Sequence, residues 1–312
     1  MSDRRFHHAE GLLTKQGVAV AALAQAMLGL RPGERLEPVQ EVADRIGASV
    51  GTVQSALEFL QTNAAIETEA RGRLGSFALK LDYPKLWKFA LGRSLVGAMP
   101  LPYSRRFEGL ATGIREQGLA AEIEMTLRFL RGSDQRLDLL ARGECSWALL
   151  SRFAAETAQA AGARIDLLLA LGPHTYMAEH VLLSRTGPMA PGMRIGVDLH
   201  SADHTYISQQ VAYGQAVELV PITYSEGLSL LKQGQIDATI WSAEDAIDLP
   251  PEVQALPIAA AFTPVLARLG EAVLVIAHGD RVMQNLLLAI SDPVQLCQIQ
   301  AEVVRKQRLP AY

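Results

Sequence analysis

Apolar residues recur at helical spacing through the first sixty positions. Leu12, Leu13, Val20, Leu23, Ala24, Met27 and Leu28 mark a first helix over 12–29. Arg31-Pro32-Gly33 stops it, because proline offers no backbone donor and glycine accepts the turn. Val39, Val42, Ala43 and Ile46 then stand at i, i+3, i+4 and i+7, with Gly47 as the C-terminal stop of a second, short helix. Ser49 caps a third. Val50, Val53, Ala56, Leu57 and Leu60 fall on one side of that helix, leaving Gly51, Thr52, Gln54, Ser55 and Glu58 on the other. Alternating residues at 66–70 and 76–80 predict two strands around Arg71-Gly72-Arg73-Leu74-Gly75, where the glycines permit a hairpin reversal.

Three helices and a basic hairpin predict a winged helix-turn-helix over residues 1–80. In that arrangement the third helix enters the major groove, where small polar side chains permit close approach, and the wing touches phosphates or the minor groove. Candidate DNA-binding residues are therefore Arg35, Gln40, Ser49, Gly51, Thr52, Gln54, Ser55, Arg71 and Arg73.

Asp82-Tyr83-Pro84 opens an amphipathic segment with Leu86, Phe89 and Ala90, giving a linker helix within 81–95. From residue 96 the pattern changes. Strands are expected at 96–101, 123–129, 147–150, 165–171, 181–184, 194–197, 217–221, 238–241 and 272–277. Helices are expected at 107–117, 135–142, 203–213, 225–233 and 292–307. Such alternation reads as an α/β fold with mainly parallel sheets over 96–312.

Composition alters this picture little. With 49% hydrophobic and 20% charged residues the chain is globular and buries a substantial core. No apolar run reaches signal-peptide or membrane-spanning length, so a cytoplasmic location and no membrane partner are the default expectation. Two cysteines, Cys145 and Cys297, lie far apart without metal-type spacing, which argues against a disulfide framework; both read as buried thiols. Charge matters more: the net value is −4, and residues 1–80 carry nine basic and nine acidic side chains. Attraction to DNA must then come from where charges sit and not from a domain-wide field.

The first region resembles the GntR-type winged helix. Pro32-Gly33-Glu34-Arg35-Leu36, Val42-Ala43, Ile46-Gly47, Ser49, Thr52-Val53, Ala56-Leu57, Gly72-Arg73 and Gly75-Ser76-Phe77 stand where that family's pattern has them. Gln40 and Val50 stand where arginine is usual, and Leu74 is an additional residue in the wing. The second region is similar to type 2 periplasmic-binding-protein domains used as effector sensors. That resemblance rests on Gly192-Met193-Arg194-Ile195-Gly196-Val197-Asp198 before Ser201, and on Thr223-Tyr224-Ser225-Glu226-Gly227-Leu228 leading to Gly234-Gln235-Ile236-Asp237-Ala238. Taken with the domain order, the whole chain resembles the YhfZ family of transcriptional regulators, whose effector the family leaves unassigned. The resemblance implies two lobes, about 96–175 with 260–312, and about 176–259.

In such a domain a ligand binds between lobes at the carboxyl ends of strands, where helix N-termini offer free N–H groups. Tyr103, Ser104 and Arg105 follow the first strand; Ser151 and Arg152 follow the third. Each loop pairs a hydroxyl with a guanidinium, a combination suited to a carboxylate or phosphate. His200, Ser201, His204 and Thr205, with Tyr224 and Trp241, form the expected opposite wall. Ser201 and Ser225 read equally as helix caps, Arg105 and Arg152 as solvated surface residues, and Trp241 as core. His200 and His204, four apart, with His174 and His180 elsewhere, lack an evident third ligand, so neither a metal nor a cofactor is expected. No G-x-S-x-G elbow or phosphate loop is present, and Glu122 and Glu124 fit an edge strand, so an enzyme is not expected.

The sequence thus predicts a DNA-binding regulator that answers to a small anionic metabolite, with double-stranded DNA as partner and a homodimer as its working form. The rival reading is a solute-binding or metabolic module whose winged helix mediates protein contacts.

Overall fold

The computed structural model describes residues 14–246, 249–258 and 263–312, and contacts divide the chain into two compact units. The first unit reaches to Ser94 and includes Gly118–Glu124 and Asp280–Ser291. Its first helix, α1, is Lys15–Leu28, capped by the Thr14 hydroxyl, which accepts the N–H of Gly17; Leu12 and Leu13 lie outside the described residues. Helix α2, Val39–Ile46, ends at Gly47, whose φ of 65° is one that a side chain would strain. Two residues later Ser49 caps α3, Val50–Thr62, accepting the Thr52 N–H at 3.1 Å, a contact worth about 1 kcal/mol. Strands β1, Ile66–Ala70, and β2, Ser76–Leu81, pair antiparallel. Between them Gly72–Leu74 winds into one 3-10 turn that takes up the additional wing residue and leaves the Leu74 side chain in solvent. Asp82 caps α4, Tyr83–Phe89. Leu23, Met27, Leu28, Val42, Val53, Ala56, Leu60, Ile66 and Leu86 form the core of this unit, on the apolar faces that the sequence pattern marks.

The chain continues as β3 (Leu95–Pro100), α5 (Arg105–Ala120), β4 (Met125–Leu130), α6 (Ser133–Ala141), β5 (Trp147–Ser151), α7 (Arg152–Ala160) and β6 (Ile165–Ala170). It then forms β7 (His180–Ser184), β8 (Arg194–Val197), α8 (Ala202–Ala212), β9 (Glu218–Pro221), α9 (Gly227–Lys232), β10 (Ala238–Ser242) and β11 (Gln254–Pro257). It closes with α10 (Thr263–Leu269), β12 (Ala272–Ala277), α11 (Arg281–Ile290) and α12 (Pro293–Val304). Helices α7, α10 and α11 and strand β11 are absent from the sequence-based expectation.

The second unit holds two five-stranded sheets, ordered β4-β3-β5-β12-β6 and β11-β7-β10-β8-β9, one for each lobe. The expectation of mainly parallel sheets is corrected here. In each sheet two of the four pairings are antiparallel, those of β12 with β5 and β6 and those of β7 with β10 and β11. Both strands follow the passages of the chain between sheets, β7 on the way out and β12 on the return. A strand reached in this way is free of the crossover that keeps βαβ neighbours parallel. Trp147 of β5 is fully buried, and the backbone of Gly97 on β3 lies against its ring: a Cβ there would stand 2.0 Å from the indole Cζ2.

Helix α11 packs within the first unit, although it comes 187 residues after Ser94 in the chain (281 − 94). Asn285 Nδ2 donates to the carbonyl oxygens of Leu28 and Leu30, each at 3.0 Å, satisfying groups that the end of α1 leaves without helical partners. Arg281 reaches both carboxylate oxygens of Glu34 at 2.7 Å, and Arg31 donates to Gln284.

Candidate functional site

On α3 the residues read as DNA-facing stand where the pattern puts them. Gly51, Gln54 and Ser55 are exposed while Val53, Ala56 and Leu60 are buried. Thr52 is half-buried, and its hydroxyl lies 2.8 Å from that of Ser49, so this pair is occupied in holding the helix start. Gln40, exposed on α2, donates to Asp44 one turn on. The wing gathers the arginines. Arg35 belongs to the segment beside β2, bridged to Phe77, and its Nε would be 2.9 Å from a Cβ on Gly75. Arg71 pairs with Glu69 and covers the Phe77 ring at 4.5 Å, whereas Arg73 makes no ion pair among the described residues. Arg35 likewise makes no ion pair among the described residues, so the wing carries two arginines whose charge no carboxylate matches.

The second unit holds a cleft open to solvent, whose empty space, mouth included, is about 680 Å³. Of the residues expected there, Tyr103, Ser201, His204 and Tyr224 line it; Ser104 reaches only a smaller recess alongside, of about 270 Å³. Arg105 is exposed and Arg152 is engaged by Glu271 and Glu156, both away from the wall. Ser151 is buried behind the wall, capping α7 and donating to Asp203 at 2.6 Å. His200 is exposed, Thr205 donates to the Asp198 carbonyl, and Trp241 backs Tyr224 in a stack with centroids 4.4 Å apart.

Sequence reasoning passed over Arg131, Gly132, Ser133, Arg136 and Tyr176, all on this wall. Arg131-Gly132-Ser133 is a strand-to-helix turn of the same kind as the loops at Tyr103 and Ser151, and its sequence signal is the glycine before a serine. Arg131 has a structural task. Its Nε and Nη2 donate to the two oxygens of Asp198 at 3.2 and 3.0 Å, and it also donates to Thr223 Oγ1 and the Ile222 carbonyl. It therefore ties the end of β4 in one lobe to β8 and the segment after β9 in the other. Gly132 comes close enough that a Cβ would meet the His200 carbonyl oxygen at 2.3 Å. A second tie joins Arg106 of α5 to Glu244.

Electrostatics around the cavity follow from burial. Burial raises the Asp198 carboxyl, but the Arg131 hydrogen bonds and the N–H groups of Tyr224 and His200 outweigh it and hold the group below the usual carboxylate range. His204 is pushed down to about 4 by burial; its Nδ1 accepts the Asp198 N–H, so Nε2 carries the proton and donates to the Ile240 carbonyl. Burial, and then the neighbouring His204, push His180 down to about 3. Both imidazoles are neutral at pH 7. Asp203 goes the other way: burial lifts it to about 7, against the Ser151 hydrogen bond and the charge of Arg136. The folded protein keeps that proton up to about pH 7, whereas an unfolded aspartic acid releases it near 3.8. The protonated group therefore contributes stability below about pH 4 that is lost as pH rises to about 7. Asp203→Asn is expected to gain stability over the parent progressively across that window and to hold a constant margin above it. Thermal melts from pH 4 to 9 check this; a margin independent of pH would refute the buried, raised carboxyl.

Among the described residues no group of three His, Cys, Asp or Glu side chains is placed to hold a metal, and no helix is long and apolar enough to cross a membrane. Cys145 is buried and Cys297 half-buried.

A winged helix-turn-helix followed by a two-lobed domain of the periplasmic-binding-protein type defines the class of this protein. The helix-turn-helix domain family matches residues 31–78, and the YhfZ C-terminal domain family matches residues 82–312. The YhfZ protein of Escherichia coli (strain K12) is 36% identical over 302 residues, covering 96% of this chain and 98% of that one. The crystal structure of YhfZ from Shigella flexneri matches with a TM-score of 0.63 at 34% identity, over 74% of this chain and 98% of that one. The chain belongs to the YhfZ family. At the level of fold alone it is similar to the periplasmic aliphatic sulphonate binding protein SsuA from Escherichia coli, with 16% identity and a TM-score of 0.50 over 69% and 74% of the two chains.

Proposed function

We propose that this protein is a cytoplasmic transcriptional regulator that binds double-stranded DNA through its winged helix and responds to a small anionic metabolite held between the two lobes. The observation that carries the reading is the pairing, in one chain, of an exposed recognition face on α3 with a cavity whose wall holds the buried Arg136 guanidinium. The helix-turn-helix supports DNA binding, and the lobed fold supports ligand binding. A metabolite acts by favouring one arrangement of the lobes, a population shift whose size is limited by its difference in affinity for the two arrangements. Strand β12 of one lobe leads through three residues into α11, which packs on α1, so the chain itself links lobe to winged helix. Two copies binding paired half-sites would supply the affinity that a winged domain of balanced charge lacks.

Selection of duplexes from a random pool by the full chain, repeated with metabolite mixtures, tests the reading. Recovery of a common motif whose retention changes with a metabolite is expected. Failure to retain any duplex would favour a solute-binding module with a protein-binding winged helix. Two substitutions sharpen the result. Arg73→Ala is expected to weaken binding to all duplexes and lower the salt slope by about one unit, as loss of one phosphate contact does. An unchanged slope would remove the wing from phosphate contact. Gln54→Ala is expected to broaden the selected motif more than it weakens binding; an unaltered motif would take Gln54 out of base readout.

A further inference from the structure

Polar groups on the cavity wall are satisfied unevenly. Asp198 has Arg131, and His204 has a partner for each ring nitrogen. Helix α6 lacks such partners. Its cap residue is Gly132, at φ 72°, which brings no side chain to the first turn of N–H groups. Ser133, its first residue, is buried, and among the described residues its Oγ is the one buried hydroxyl left without a hydrogen-bond partner. Arg136 lies one turn on and is 2% exposed. Its Nη1 donates to the Leu130 carbonyl at 3.1 Å and its Nη2 to the Tyr176 hydroxyl at 3.0 Å, both neutral acceptors, while Nε has no partner among the described residues. Asp134, in the same turn, is exposed.

A buried guanidinium that faces only neutral acceptors is costly, and an oxyanion arriving beside it relieves that cost. The open first turn of α6 adds N–H donors and the positive end of the helix dipole. The number of charges selects among oxyanions. Arg136 donates to no carboxylate among the described residues, Asp198 is already matched by Arg131, and Asp203 keeps its proton up to about pH 7, so the cavity offers one guanidinium and a single negative charge matches it. Asp203 takes the Ser151 hydroxyl on Oδ1, and among the described residues none donates to its other oxygen. Leu101, Phe107, Leu130 and Met177 offer an apolar surface to a carbon body.

Resting on the reading of the cavity as the effector site, we infer that Ser133, Arg136 and the first N–H groups of α6 hold the carboxylate of a small monocarboxylic acid whose body carries a hydroxyl or ammonium donor for Asp203. In the full chain, Ser133→Asp places a carboxylate at this position permanently, and Ser133→Asn is its neutral counterpart. The aspartate variant is expected to melt about 4 °C above the asparagine variant, a shift of the size one added favourable charge contact gives in a domain this large. A lower melting point for the aspartate variant would overturn the assignment. Ligand probes at millimolar concentration are hexanoate, 2-hydroxyhexanoate, norleucine and hexanamide. The parent chain is expected to be stabilised by the hydroxy and amino acids more than by hexanoate, and by the neutral amide not at all; Ser133→Asp abolishes these shifts. Equal shifts from hexanamide, or shifts that survive in Ser133→Asp, would overturn it. If a neutral metabolite alters DNA retention without regard to Ser133 or Arg136, this subsite falls and the regulator stands. If the carboxylates bind as described and DNA is never retained, the subsite stands and the regulator falls.

Discussion

Asp198→Ala is expected to destabilise the two-lobed unit by about 3–5 kcal/mol, because it removes one partner of a largely buried charge pair and leaves the other uncompensated. Asp198 is 2% exposed and serves four donors: two from Arg131, and the N–H groups of His200 and Tyr224. In a unit of this size that loss lowers the melting temperature by roughly 6–20 °C. The double variant Asp198→Ala/Arg131→Met should recover part of it, since the stranded guanidinium is gone. Fully additive losses in the double variant would show that the two side chains do not act together. The pair joins the lobes, so Asp198→Ala is also expected to raise the radius of gyration of the ligand-free protein in solution scattering.

Gly97→Val is the second large effect. Its Cβ would fall 2.0 Å from Trp147, a side chain with no exposed surface and therefore no room to retreat. Overpacking of this kind costs about 1–3 kcal/mol and at times more. Here both residues sit on adjacent central strands, β3 and β5, and a shift of one strand disturbs both of its neighbours. A fall in melting temperature of roughly 2–12 °C is expected, with part of it returned by adding Trp147→Leu. If Trp147→Leu makes matters worse by its full single-variant cost, steric conflict with the indole is not the cause.

The winged helix was legible because each of its elements carries its own local signal: helical periodicity, a glycine stop at Gly47, a serine cap at Ser49, and glycines flanking the wing. The α/β alternation was legible for the same reason. Strand direction was not, since pairing of β7 and β12 depends on where the chain re-enters each sheet and no local pattern records that. The cavity wall was half-legible. Strand-to-helix loops could be located, but which of them converge depends on strand order, and the hydroxyl-plus-arginine loops at Arg105 and Arg152 drew attention from Arg131-Gly132-Ser133. Whether an arginine is free or already paired is a tertiary fact: Arg152 has Glu271 from 119 residues away, while Arg136, unremarkable within its helix, donates to no carboxylate among the described residues.

Asn285 has a consequence for synthesis. The carbonyl of Leu28 waits for its amide, and the Leu30 carbonyl and Glu34, held until then by Tyr83 and the Arg31 N–H, gain their second partners from α11, so the first ninety residues leave the ribosome with one flank bare. At about 5–20 residues per second, the remaining stretch to α11 takes about 10–40 s to make. An interrupted chain that ends before α11 therefore lacks a wall of its own helix-turn-helix unit, and only a nearly finished polypeptide closes that unit.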